Sequence, residues 1–140
     1  MTDALPTRGQ LERTLSQRIQ ALYRNQLGHR ISNVDCQILE QKIVIVLEKA
    51  VTQPEQLLVG DGKEELVEEI HSSLKAAIQP QLKELIETIV GVTVVDLLSD
   101  TTLETERTGM IAVLAEAPQV RESNGSSGRN PVSPDKSSSQ

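Results

Sequence analysis

Leu11, Leu15, Ile19 and Leu22 recur at spacings of four, four and three, and from Val34 onward the apolar period drops to two. A helix brings every third or fourth residue to one face and a strand brings every second, so one kind of secondary structure cannot satisfy both patterns. The chain must fold as helix and then strand. Arg13, Gln17, Gln20 and Arg24 lie opposite the first apolar stripe, Thr7 and Gln10 form a capping box before it, and Gly28 stops it. These signals predict a helix over residues 8–27.

Val34, Cys36 and Ile38 alternate with polar neighbours, and Ile43 to Leu47 is a continuous aliphatic run. Joined by Glu40 and Gln41, the two read as a hairpin, the first strand with one wet face and the second buried on both faces. Thr52, Pro54 and Glu55 combine an N-cap, a first-turn proline and a box-closing carboxylate. The helix they start ends within two turns at Gly60-Asp61-Gly62. A longer helix follows, with Leu66, Ile70, Leu74, Ala77 and Ile78 on one stripe and Leu82, Leu85, Ile86 and Ile89 continuing it beyond Pro80, up to Gly91. A proline in a straight helix interior costs about 3 kcal/mol, so a kink near Ala76–Gln79 or two consecutive helices is expected.

Val92 to Leu98 reads as a third strand, Ser99 to Thr108 as a polar loop and Met110 to Ala115 as a fourth strand. Period two puts Asp96 on one face with Val92, Val94 and Leu98, either at a wet end of that face or paired with a basic group from the first helix, the wet end being the expectation. The order α-β-β-α-α-β-β predicts an α+β fold, a four-stranded antiparallel sheet of two hairpins with helices packed on one face. A flexible N-terminus over 1–6, a single domain over 7–116 and a disordered tail over 117–140 complete the organisation. The tail holds seven Ser and three Pro, with Val120 and Val132 its strongly apolar residues, too little burial to offset the entropy of ordering. Ending the chain after Glu116 is expected to leave its melting temperature nearly unchanged.

Function is constrained mainly by what these 140 residues do not offer. Phe and Trp are absent and Tyr23 is the sole aromatic, so there is no platform on which to stack bases. The net charge of -6 also argues against binding to phosphate backbones, and no nucleic-acid partner is expected. No apolar run reaches the roughly 18 residues that a membrane span needs, and the N-terminus lacks a signal peptide, so the expectation is a soluble cytoplasmic protein without direct membrane insertion. The single cysteine, Cys36, excludes an internal disulfide and is expected to face the core.

His29 and His71 are the two histidines. Glu68 and His71 share a helical face, but two ligands do not make a metal site, and an exposed helix histidine is the expectation. Gly60-Asp61-Gly62-Lys63 has glycines too close for a phosphate loop, and Glu64 follows the lysine. No catalytic residue, metal ligand or cofactor-binding residue is assigned, and a non-enzymatic protein without cofactors is expected. Charge is distributed unevenly. Residues 1–30 carry five Arg against Asp3 and Glu12, whereas residues 31–116 carry six Lys and Arg against sixteen Asp and Glu. Such polarity suits head-to-tail pairing with a second copy, or folding of the basic helix across the chain's own acidic surface. The candidate partner-binding residues are Arg13, Arg24 and Arg30 at the basic end and Glu64 and Glu68 on the acidic face. The expected function is an accessory or regulatory protein, a homodimer, binding a protein partner through its sheet edge or first helix. The alternative is a sensor holding a metabolite or nucleotide in the helix–sheet crevice.

The stretch Gln41 to Leu58, with Val51-Thr52-Gln53-Pro54-Glu55-Gln56-Leu57-Leu58 at its end, resembles the centre of the MpsC-like family of small bacterial domains. That family has a buried strand leading into a Leu-Thr-x-x-Glu-x-x-Leu element, where this chain has Val51 at the first position, then a long helix, a Gly matched by Gly91, and a last pair of strands matched up to Ala115. The resemblance implies a soluble accessory protein connected with membrane-potential generation, with a partner associated with the membrane.

Overall fold

The computed structural model describes residues 5–121. Helix α1 spans Arg8–Leu27, capped by the Thr7–Gln10 box and ended by Gly28 at φ 63, a left-handed conformation that glycine adopts without strain. It buries Leu11, Leu15, Ile19 and Tyr23, and Leu22 packs against the core beside the tyrosine. Strands β1 (Asn33–Leu39) and β2 (Lys42–Glu48) form the expected antiparallel hairpin, but β2 is not buried on both faces: Ile43, Ile45 and Leu47 enter the core while Val44 and Val46 lie on the open outer face. Helix α2 covers Gln53–Gly60 and α3 covers Glu64–Val90.

Pro80 lies inside α3, which continues through it as one helix, not two. The proline removes the donor for the Ala76 carbonyl. Ala76 and Pro80 line an open groove beside the sheet where water can take that donor's place.

Strands β3 (Val94–Thr102) and β4 (Arg107–Leu114) close the sheet in the order β1-β2-β4-β3, with every neighbouring pair antiparallel. Here the structure corrects the expected polar loop. Ser99 to Thr102 extend β3, and Arg107 to Gly109 begin β4, paired residue by residue. A bulge between Val94 and Asp96 corrects the expected parity: Val94 points into the core, whereas Asp96 is exposed on the outer face with Leu98.

The core lies between the inner face of the sheet and α1 and α3. Val34, Cys36, Ile38, Ile43, Ile45, Leu47, Met110, Ala112 and Leu114 meet Leu11, Leu15, Ile19, Ile78, Leu82, Ile86 and Val90. Leu15 and Ile19 are completely buried, and truncating either to Ala would cost about 2–5 kcal/mol. Burial pushes the Cys36 thiol up to about 11, which keeps it an unreactive core side chain. The packed body also runs beyond Glu116. Pro118 is buried, Val120 packs against the core, and Arg121 donates its backbone N–H to the Pro6 carbonyl at 2.8 Å. The rest of the expected tail lies outside the described residues, as do residues 1–4 of the expected flexible N-terminus.

Candidate functional site

Helix α2 is the point from which the site is built. The Thr52 hydroxyl accepts from the Glu55 backbone, and the Glu55 carboxylate turns back to accept from the Thr52 N–H at 3.0 Å and its hydroxyl at 2.8 Å. That box leaves Glu55 1% exposed, and it is the one buried side chain of α2. A buried carboxylate needs partners for its remaining lone pairs. Glu55 Oε2 finds one in His71 Nδ1, 2.8 Å away on α3.

The other face of the imidazole is also occupied. Nε2 lies 2.8 Å from the Thr101 hydroxyl on β3, and Thr101 lies 2.6 Å from the Thr108 hydroxyl on β4. With the ring neutral, the ionised carboxylate assigns the proton to Nδ1 and leaves Nε2 to accept from Thr101. One polar chain thus joins α2, α3, β3 and β4. Burial by itself would raise the Glu55 carboxyl, but hydrogen bonds from His71 and Thr52 outweigh it and hold the group below its ordinary 4.5.

Two spaces adjoin this chain. Inward, Tyr23, Leu27, Leu74, Ile78 and Met110 help enclose a cavity of about 30 Å³, room for an ordered water. Burial pushes the Tyr23 hydroxyl up to about 12, and it has no hydrogen-bond partner among the described residues. Outward, Glu68, Ser72, Lys75 and Asp100 border a cleft of about 250 Å³ that ends at His71 and Thr101.

The sequence of carboxylate, imidazole and hydroxyl is also the order of a hydrolytic triad. Thr101 is placed differently from a triad nucleophile. It sits within a strand, its hydroxyl is shared with Thr108, and its own N–H donates to Asp100 Oδ1. The arrangement acts as a polar latch between elements. His71 was expected as an exposed helix histidine; its side chain is 23% exposed and hydrogen-bonded on both nitrogens. His29 is likewise tied, donating from Nε2 to the Lys49 carbonyl.

The sequence-named candidates fall into separate groups. Arg24 and Arg30 border one cleft with Gln20 and Ser32. Arg13 precedes Arg24 by three helical turns, about 16 Å along the axis. Glu64 and Glu68 stand exposed on the first two turns of α3. None of the five forms an ion pair with a described residue; the ion pairs are His71–Glu55 and Arg107–Glu48. The basic helix is therefore not neutralised by direct pairing with the acidic surface.

The sheet supplies a further surface. Its outer face carries the cross-strand row Val44, Ile111 and Leu98, flanked by Val46 and Val113, and no helix covers it. Leu98 and Ile111 are 51% and 40% exposed. The β3 edge, by contrast, is occupied at several positions, and the β1 edge at one. Glu12 accepts from the Ile38 N–H on β1, while Gln79 and Lys75 donate to the Leu97 and Ser99 carbonyls on β3. Asp96 and Asp100 accept from the N–H groups of Leu97 and Thr101. Edge pairing with another chain would have to displace these groups.

Among the described residues, no helix is long and apolar enough to cross a membrane, and no cluster of three or more His, Cys, Asp or Glu is placed to hold a metal ion. The sequence model of one protein family, described as Na+-translocating membrane potential-generating system (MpsC), matches residues 7–116. No curated protein and no solved structure matches the chain.

Proposed function

The chain belongs to the MpsC family, and we propose that it is a non-enzymatic accessory or regulatory protein of the cytoplasm, acting through protein–protein contact as a homodimer. The observation that carries this reading is the uncovered outer face of the sheet. A row of Val44, Ile111 and Leu98 in open water forgoes roughly 25 cal/mol for each Å² that a partner could bury. The occupied β3 edge directs association there away from strand addition and toward this face. The family description supports a role beside a membrane system, and no described helix of this chain could itself span one.

Sedimentation velocity tests the dimer. The protein should sediment as a dimer at micromolar concentration, and Ile111→Lys should convert it to a monomer with its melting temperature nearly unchanged. A wild-type chain that stays monomeric up to about 0.1 mM would overturn the homodimer, since association weaker than that is about 5 kcal/mol or less.

A second reading, a small-ligand sensor, draws support from the cleft that ends at His71 and Thr101. Glu68 and Asp100 on its rim favour a cationic metabolite over a nucleotide, whose phosphates they would repel. Thermal shift with polyamines against nucleotides separates the two ligand classes, and no shift with either would remove the sensor reading.

A further inference from the structure

Glu12 accepts from the Ile38 N–H at 2.8 Å, and Gln20, further along α1, donates from Nε2 to the Ile31 carbonyl at 3.1 Å. Helix α1 therefore lies antiparallel along the edge strand β1. The four-residue step from Gln20 to Arg24 turns a helix by only about 40°, which keeps Arg24 on the same side, over the connection from α1 to β1. That connection, residues 28–32, is tied down along its length. Gly28 donates to the Arg24 carbonyl at 3.0 Å, His29 donates to the Lys49 carbonyl, and Ser32 donates its backbone N–H to the Glu48 carbonyl at 3.1 Å. Ile31 is buried among these contacts. Arg30 thus belongs to a fixed loop, and it lines one cleft with Arg24, Gln20, Ile31 and Ser32.

The chemistry of this cleft is one-sided. Two guanidiniums line it and no carboxylate does, although the chain has 20 Asp and Glu against 14 Lys and Arg. Neither arginine is in an ion pair with a described residue. The carboxylates of the adjoining strands, Asp35 and Glu48, belong to the outer face of the sheet, and Glu48 is committed to Arg107 at 3.0 Å. Two like charges on one cleft repel, and an anion carrying two charges removes that cost as it binds. Guanidinium forks match phosphate oxygens, and the Ser32 hydroxyl supplies a further donor. A volume of about 290 Å³ is at the small end for a ligand cleft. No aromatic side chain lines it, so a base would have nothing to stack on, and the fit is to a small phosphorylated molecule and not to a nucleotide.

We propose that the cleft between α1 and the 28–32 loop binds a small soluble phosphate monoester, its dianionic phosphoryl group held by the forks of Arg24 and Arg30 and by the Ser32 hydroxyl. Gln20 is a positioning residue, because its bond to the Ile31 carbonyl sets the loop against the helix. The site is separate from the outer sheet face and from the cleft at His71, so it stands or falls independently of both readings above.

The full-length chain is titrated with glycerol 3-phosphate by isothermal calorimetry at fixed ionic strength. It should bind with a Kd of about 1 mM or tighter, and dimethyl phosphate, a diester with a single charge, at least about tenfold more weakly. Arg24→Gln and Arg30→Gln should each lose about tenfold in affinity, and Arg24→Lys should lose as much, because an ammonium keeps the charge without the fork. Arg13→Gln, about three turns back on α1 and outside the cleft, should bind as the wild type does. Arg13, Arg24 and Arg30 are all exposed, so these variants should melt with the wild type. Equal binding of dimethyl phosphate, full affinity in Arg24→Lys or an equal loss in Arg13→Gln would each reveal diffuse attraction to a basic helix and overturn the site, as would a Kd weaker than about 1 mM. Vesicles of phosphatidylcholine and phosphatidic acid present the same monoester on a surface. Binding to them while glycerol 3-phosphate stays inert would assign the arginines to a lipid headgroup and overturn the soluble ligand.

Discussion

Glu55 Oε2 lies 2.8 Å from His71 Nδ1, and this contact ties the one buried side chain of α2 to the longest helix of the fold. Without it, α2 would rest on the body through the partly buried Leu58 and Val59. The latch is polar, so it responds to protonation in a way the aliphatic core cannot.

The acid limb of stability follows from the direction of the Glu55 shift. Its carboxyl is held below 4.5 in the folded chain, so the stabilisation is fully present above that value and is lost as pH falls through the lower folded value. Glu55→Gln should flatten that part of the stability profile below about pH 4.5. At neutral pH it should cost about 1–3 kcal/mol, because His71 loses a charged acceptor and the cap weakens. Urea denaturation at several pH values measures both. An acid limb as steep in Glu55→Gln as in the wild type would show that Glu55 is not its source.

The hydrogen-bond order also assigns the tautomer. A neutral His71 with Nδ1–H donating to Glu55 and Nε2 accepting from Thr101 should show the Nδ1-protonated pattern in ¹⁵N spectra of the side chain. Thr101→Val removes the donor to Nε2 and should cost about 1 kcal/mol, with Thr108 losing its partner as well. An Nε2-protonated ring in the wild type would contradict the order of the chain from Thr108 to Glu55.

Much of this architecture is readable from side-chain period and capping alone. The limits of α1, both capping boxes, the first hairpin and the element order all follow from local signals that tertiary packing does not contradict. The latch does not follow, for two reasons. Glu55 satisfies a local capping rule completely, which hides the second lone pair that reaches His71. Thr101 and Thr108 lie in a polar stretch that resembles a loop, yet β-branched threonines extend well and here pair across β3 and β4 with their hydroxyls on the inner face. The alternation of Leu97, Ser99 and Thr101 was the available signal. It was obscured by the bulge before Asp96, which shifts the parity of the strand that follows.

The C-terminal boundary makes a further test. Pro118 is buried, Val120 packs on the core, and the Arg121 backbone bonds to Pro6 beside the start of α1. A chain ending at Glu116 should therefore melt measurably below one ending at Arg121, by the loss of about 1–3 kcal/mol. Coincident melting curves would return the boundary to Glu116.

Pro80 offers the opposite sign of effect. It is exposed on α3, where its ring leaves the Ala76 carbonyl to solvent. Pro80→Ala restores the helical donor and raises helix propensity by up to about 3 kcal/mol, while freeing the unfolded chain by about 0.4–1 kcal/mol. The net expectation is a stabilised protein, by about 1–2 kcal/mol after local relaxation of the groove. Gln79 and Lys83 border that groove, and Gln79 also holds the Leu97 carbonyl at the sheet edge. If Pro80→Ala instead destabilises the chain, the proline is setting the path of α3 along β3, and Gln79→Ala should then cost less in the Pro80→Ala background than in the wild type. A double-mutant cycle reads that coupling directly.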